Sequence, residues 1–146
     1  MQPPMREEVA PTKPDPKPRS TRQRAAVREA LIDAEGFRSA QEIYDTLRKN
    51  GTPIGLTTVY RTLQALVDGG EVDALQASEG ETIYRQCARS DHHHHLVCRS
   101  CRTSVEVQAA EVESWAAETA SSHGFTSVTH VAEVFGTCAA CRTSDP

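Results

Sequence analysis

Asp91-His92-His93-His94-His95-Leu96-Val97-Cys98-Arg99-Ser100-Cys101 runs four imidazoles straight into a Cys-x-x-Cys, and Cys138-Ala139-Ala140-Cys141 supplies a second such pair late in the 146-residue chain. Each short loop turns both of its sulfurs toward one point, so two pairs can surround a Zn²⁺ ion tetrahedrally, with every sulfur roughly 2.3 Å from the metal. Cys98, Cys101, Cys138 and Cys141 are therefore read as a closed structural zinc site. Two structural disulfides are the first alternative. No signal peptide is visible, so a cytoplasmic location is expected, where disulfides do not persist. A redox Cys-x-x-Cys would open a helix after a strand, and one pair would suffice. Two pairs favour metal.

The leucine and valine after the histidines mark a strand, along which side chains alternate between faces. His93 and His95 then point one way and His92 and His94 the other. Residues two apart on a strand lie about 6.6 Å from each other, a span that two imidazoles can bridge around one ion. One tract can thus serve two further metal sites. The plainer readings are a solvated polar tract or a tag remnant. A tag is normally terminal, whereas this run passes directly into hydrophobic and Cys residues.

Composition sets the frame. With 38% hydrophobic and 25% charged residues the chain suits one or two small domains and no membrane span. Domains of that size bury little surface, so a structural metal or a partner subunit is expected to help. Residues 1–61 hold 11 Lys/Arg against 8 Asp/Glu, and residues 62–146 hold 5 against 12. A basic front and an acidic back fit a nucleic-acid-binding half joined to a metal-binding half. Residues 1–18 carry six of the eight prolines and almost nothing apolar, which predicts a disordered Pro-rich tail.

From Ser20 the pattern turns helical. Ser20 or Thr21 can cap, Ala26, Val27, Ala30, Leu31 and Ala34 recur on one face, and Gly36 offers a stop. Ser39-Ala40-Gln41-Glu42 reads as a capping box that opens a second helix with Ile43, Tyr44 and Leu47 inward, ended by Gly51. Pro53 forces a turn, and a third helix begins near Gly55 or Thr57 and runs to Asp68-Gly69-Gly70. Three short helices with tight turns predict helix-turn-helix. At ~100° per residue, Val59, Leu63, Leu66 and Val67 cluster on one side of the third helix, with Arg61 opposite, Thr57 and Gln64 beside it and Tyr60 on the flank. Arg can pair with a guanine edge and Gln with adenine, while Thr or Tyr can reach phosphate or a thymine methyl. An ordinary solvated helix face is the competing reading.

Glu71–Gln76 and Glu81–Gln86 predict two strands joined around Ser78-Glu79-Gly80, the wing of a winged helix. Cys87 follows at a junction, then the histidines and a Val105–Val107 strand. A helix from Ala109 to His123 carries Val112, Trp115, Ala116 and Thr119 on one stripe, with Trp115 expected in the core or at a dimer contact. A last strand, Val128–Phe135, leads to the second Cys pair.

Gly55-Leu56-Thr57-Thr58-Val59-Tyr60-Arg61, then His93-His94-His95-Leu96-Val97-Cys98-Arg99-Ser100-Cys101, then Cys138-x-x-Cys141 together closely resemble the ferric uptake regulator family of bacterial metal-dependent repressors, over about residues 19–141. The resemblance implies an α+β chain, with a winged helix-turn-helix DNA-binding domain at 19–86, a hinge at 87–91 and a small αβ zinc-binding dimerisation domain at 92–146. It implies a homodimer on palindromic, A·T-rich double-stranded operator DNA. Tyr60 and Arg61 match the family's recognition-helix pair, and Arg22 or Arg24 falls near a basic position that reaches DNA from the first helix. Iron- and peroxide-sensing members commonly have His where Phe37 stands, and the peroxide branch has a carboxylate near the place of Cys87; both departures point away from iron. Asp73, Cys87, His93 and His95 resemble the regulatory site of the family's zinc uptake regulator branch, where a soft thiolate suits Zn²⁺. His92, His94, Glu113 and His130 resemble a second regulatory site, with Glu111 as an alternative to Glu113 and a hydrogen-bonded strand histidine as the alternative role for His130. Up to three Zn²⁺ per subunit follow.

The implied function is a zinc-dependent repressor of zinc-acquisition genes; an iron-, nickel- or peroxide-responsive repressor is the alternative within the family. Two rivals come from other classes. A deaminase needs His-x-Glu and Pro-Cys-x-x-Cys, but Val131-Ala132-Glu133 follows His130 and no Pro directly precedes Cys138. His-Glu-x-x-His is also missing, and saturated four-ligand sites leave no position for a reactive water, so no enzyme is expected. A zinc-storage or chaperone module could use the histidines as a buffer, but it would not need a three-helix winged domain.

Overall fold

A computed structural model describes residues 18–77, 79–87 and 91–143. The Pro-rich tail, apart from Pro18, lies outside them, as do Ser78 of the wing turn and residues 88–90 of the expected hinge. Among the described residues no helix is long and apolar enough to cross a membrane.

The first helix, α1 (Arg19–Ile32), starts at least two residues earlier than the hydroxyl residues suggest. Pro18 occupies its N-cap, and the Pro18 carbonyl accepts the amides of Thr21 and Arg22 at 3.0 and 3.2 Å, so Ser20 and Thr21 lie inside the first turn. Gly36 is likewise not the stop, since the helix has already ended at Ile32. It pairs with Thr103, and a Cβ there would lie 2.3 Å from the Arg102 carbonyl oxygen. This glycine is required for a close approach between two distant segments.

A two-residue strand that periodicity cannot reveal, β1 (Arg38–Ser39), leads into α2 (Ala40–Lys49). The capping box is formed: Glu42 N donates to Ser39 Oγ at 3.2 Å and Ser39 N donates to Glu42 Oε2 at 2.8 Å. Gly51, with φ +75°, turns the chain out of α2. After Pro53, α3 (Leu56–Asp68) begins at the N-cap Gly55 and buries Val59, Leu63 and Leu66. These pack with Val27 and Leu31 of α1 and Ile43 and Leu47 of α2 into one core.

The strands β2 (Asp73–Gln76) and β3 (Thr82–Arg85) form the wing, and β3 lies in the middle of the sheet order β1-β3-β2. A second sheet has the order β5-β4-β6, built from β4 (His94–Cys98), β5 (Ser104–Val107) and β6 (Glu133–Gly136). β4 runs antiparallel to β5 and parallel to β6, the crossover being carried by α4 (Ala110–Ser122). A four-residue helix, α5 (Ala139–Arg142), follows.

The last strand is shorter than its apolar pattern suggests. Residues 128–132 are irregular, because pairing with β4 begins only at His95↔Glu133. The carbonyl of Ala132 is instead used by the His94 ring. α4 buries none of its residues, and Trp115 is 66% exposed, so it is not a core residue of one chain. Across the second sheet, Val105, Leu96 and Val134 stand in one register row, all exposed, while the opposite face holds Val97.

A smaller core joins the halves. Phe37 and Ile83 from the winged-helix side pack on Val97, with Leu75, Ala77 and Phe135 around them. Phe37 is fully buried there. Replacing Phe37 by Ala should cost about 3–5 kcal/mol of stability, because the void opens between two separately built sheets. Urea unfolding of the two proteins measures the difference, and a loss under 1 kcal/mol would contradict this account.

Candidate metal centres

The two Cys pairs meet. Cys98 ends β4, Cys101 follows a turn in which Arg102 N donates to the Cys98 carbonyl, and Cys138 caps the short helix that carries Cys141. A tetrahedron with 2.3 Å arms has edges of about 3.8 Å; the Cys101 and Cys138 sulfurs are 3.7 Å apart, and all four lie within 4.8 Å of one another. Backbone hydrogen bonds at Cys101 and Cys138 hold the Cys98 thiol down at about 5. Hydrogen bonds to Cys138 and Cys101 push the Cys141 thiol up to about 12. Without a cation the sulfurs resist becoming thiolates together, and a divalent ion removes that conflict.

On the wing side, Asp73 opens β2, Cys87 lies just past β3, and His93 and His95 reach them from the start of the second sheet. His93 Nε2 is 2.6 Å from Asp73 Oδ2, and His95 Nε2 is 3.3 Å from the same oxygen and 3.4 Å from Cys87 Sγ. Each ring also has an acceptor behind it: His93 Nδ1 donates to the Asp91 carbonyl at 2.7 Å, and His95 Nδ1 lies 3.1 Å from Glu133 Oε2. A neutral imidazole has one N–H, so Nε2 then turns a lone pair toward a carboxylate. Acceptor facing acceptor calls for a cation between them, either a proton or a metal. Burial alone would raise Asp73, but hydrogen bonds from His95, Cys87 and His93 outweigh it and hold the carboxyl well below the usual range. Burial and the Asp73 carboxylate push the Cys87 thiol up. The donors are three borderline or hard atoms and one soft sulfur, a set that fits Zn²⁺.

The other face of the histidine tract builds the third group. Glu113 Oε1 lies 2.7 Å from His94 Nε2, 3.0 Å from His92 Nε2 and 3.1 Å from His130 Nε2. His94 Nδ1 donates to the Ala132 carbonyl at 2.9 Å, which again leaves a lone pair against a carboxylate. Glu113, two residues on from Glu111, is the carboxylate in reach of all three rings, and His130 lies in the irregular stretch before β6.

On α3, Thr57, Tyr60, Arg61 and Gln64 are all exposed, and Gln64 donates to Asp68 at 2.9 Å. Arg22 is exposed on α1, whereas Arg24 is drawn to Glu71 at 2.5 Å, a carboxylate that Arg28 also reaches at 3.1 Å. Two residues escape a reading of the sequence. Glu133 carries no spacing signal, since it meets His95 from 38 positions away. Arg102 follows the first Cys pair directly and forks between Glu42 of α2 and Glu81 of the wing turn, each at 2.7 Å.

The sequence pattern of the Ferric uptake regulator family matches residues 17–135. Over 125 residues, spanning 85% of this chain and 95% of the relative, the chain is 57% identical to the zinc uptake regulation protein of Mycobacterium tuberculosis. Its structure is similar to the crystal structure of a zinc uptake regulator from M. tuberculosis, with a TM-score of 0.51, 57% identity and coverage of 85% of this chain and 95% of that one. It is also similar to a zinc uptake regulator complexed with zinc and DNA, with a TM-score of 0.67, 28% identity and coverage of 84% and 83%.

Cys98→Ser or Cys138→Ser should abolish zinc retention at the four-cysteine group and unfold the second sheet, since assembling such a site and folding the surrounding chain are one free energy, about 10–16 kcal/mol for small zinc domains. Metal analysis combined with circular dichroism tests this. A zinc-free variant at that group with an intact second sheet would refute it.

Proposed function

The chain belongs to the ferric uptake regulator family, and on that footing we propose that it is a cytoplasmic, zinc-responsive repressor that binds operator DNA as a homodimer and controls zinc-uptake genes. The observation that carries this reading is the convergence of Asp73 and Cys87 from the winged-helix half with His93 and His95 from the other half. The thiolate of Cys87 favours Zn²⁺ over harder ions. Phe37, buried against His95 with ring centroids 5.0 Å apart, supports the same choice because it offers no ligand where a histidine would.

In this reading residues 19–86 form the DNA-binding domain, 87–91 the hinge and 92–146 the dimerisation domain. A bound zinc ion supplies positive charge and a tetrahedral preference. Asp73 and Cys87 move with the wing, and His93 and His95 move with the second sheet. Drawn to one point, the four donors add a restraint on the angle between the halves beyond the Phe37 contact; unshielded, they repel one another and that restraint is lost. The recognition helices of a dimer must stand about 34 Å apart to enter successive major grooves, so fixing that angle raises the population of the DNA-competent form. The exposed row Val105, Leu96 and Val134, together with Trp115 and Phe125 on and after α4, is the surface a second copy would cover. Arg61, Tyr60, Thr57 and Gln64 would face the operator, with Arg22 near the phosphates.

Cys87→Ser should weaken zinc at the interdomain group while leaving the four-cysteine zinc in place, and should cut zinc-dependent operator affinity by roughly 5- to 150-fold, the usual span of allosteric coupling. Joint substitution of His92 and His94 should have a smaller or graded effect, because that group does not join the wing to the sheet. Operator binding across a free-zinc titration compares them. A repressing Cys87→Ser beside an inactive double variant would show that the two faces have the opposite roles.

Arg61→Ala should cost about 1–3 kcal/mol of specific binding if the side chain reads a base, and should weaken all sequences alike if it meets phosphate. Binding to operator and to unrelated DNA at matched salt distinguishes the two. Unchanged affinity for both would take Arg61 out of the interface.

A further inference from the structure

Behind the interdomain donor group lies a carboxylate that is not one of its four donors. Glu133 opens β6 in register with His95 on the neighbouring parallel strand. Its two oxygens lie 3.2 and 3.1 Å from His95 Nδ1, and Oε2 also accepts the His95 backbone N–H at 2.8 Å. The Glu133 side chain is 18% exposed and that of His95 is 4% exposed, so little water competes for these bonds. The strand amide anchors the carboxylate, and the carboxylate faces the ring of the same residue.

When a metal takes the Nε2 lone pair of His95, the ring's single hydrogen must sit on Nδ1, and there Glu133 is placed to accept it. That lone pair is aimed at the space shared by Asp73 and Cys87. Phe37 and His93 pack edge-on against the ring at 5.0 and 4.8 Å, which limits its rotation. His93 and His94 are held from behind by backbone carbonyls, those of Asp91 and Ala132. A carboxylate is a stronger acceptor than a carbonyl, and it makes the far nitrogen a better donor to a metal.

We propose that Glu133 is a positioning residue for the interdomain zinc site, fixing the tautomer and aim of His95 and thereby setting the zinc concentration at which the two halves lock. This rests on the reading of Asp73, Cys87, His93 and His95 as the regulatory site.

Co²⁺ is the probe, added to full-length protein whose four-cysteine group already holds zinc. Cys87 supplies the one sulfur of the two remaining groups, so a sulfur-to-cobalt charge-transfer band reports the interdomain group alone. Wild type, Glu133→Gln and Glu133→Ala are titrated, and operator binding is measured alongside. Glu133→Ala should lose roughly 10–100-fold in affinity at that band. Glu133→Gln, whose amide oxygen can still accept from Nδ1, should lose less, and cobalt uptake without the band should be unchanged in all three. Equal affinities would overturn the proposal. So would equal losses at both groups, which would make Glu133 merely a residue that holds β6 in place. A wild type without the band would remove the regulatory site itself, and this proposal with it.

Discussion

Side chains leave successive residues of β4 on opposite faces, and each candidate metal-binding group takes its place in part from that geometry. His93, His95 and Val97 look toward the wing, where Asp73 and the Phe37 core meet them. His92, His94, Leu96 and Cys98 look the other way, toward Glu113, the exposed apolar row and the second Cys pair. A slip of one residue would exchange the faces, burying Leu96 against Ile83 and presenting Val97 to solvent. The buried Val97 and the register to β5 and β6 hold the strand against that slip, so apolar packing keeps the donors aimed.

Electrostatics then make the interdomain group a place where a cation would matter. The interdomain group sets carboxylate, thiol and imidazole lone pairs toward one another across distances of 2.6–3.4 Å. Hydrogen bonds hold the Asp73 carboxyl well below the usual range, while burial and that carboxylate push the Cys87 thiol up, so the thiol resists ionising beside Asp73. A divalent cation bound there would reverse that balance by allowing the thiol to lose its proton. On the proposed reading the free energy of binding would be shared between halves that own the donors separately, so a local charge could bias a global angle.

The halves also touch outside that group. Arg102, in the left-handed region with φ 63°, bridges Glu42 and Glu81, and its carbonyl accepts Phe37 N at 3.2 Å. Glu42 Oε2 serves both this contact and the capping box of α2. Arg85 of β3 donates to Ser104 of β5 at 2.8 Å. Contacts between partly exposed charges contribute little each, so the buried cluster around Phe37 carries more of the adhesion, and the polar bridges set its orientation.

Short-range physics made much of this molecule legible in its sequence. The capping box at Ser39, the apolar face of α3, the wing strands and the two Cys-x-x-Cys turns depend on neighbours within about four residues, where helical and strand periods act directly. Alternation also sorted the four histidines into two pairs before any partner was in view. The limits of local pattern appear where distant segments meet. Gly36 looks like a helix stop and is a close-packing site against Arg102; Val128–Phe135 reads as a strand, yet it pairs with β4 only from Glu133 onward. Trp115 and the apolar row of the second sheet stay exposed because none of the described residues covers them. Glu133 beside His95, Asp73 beside His93 and Phe37 between two sheets are decided by packing across dozens of residues, because a side chain's period fixes which way it points and only the folded chain fixes what it meets.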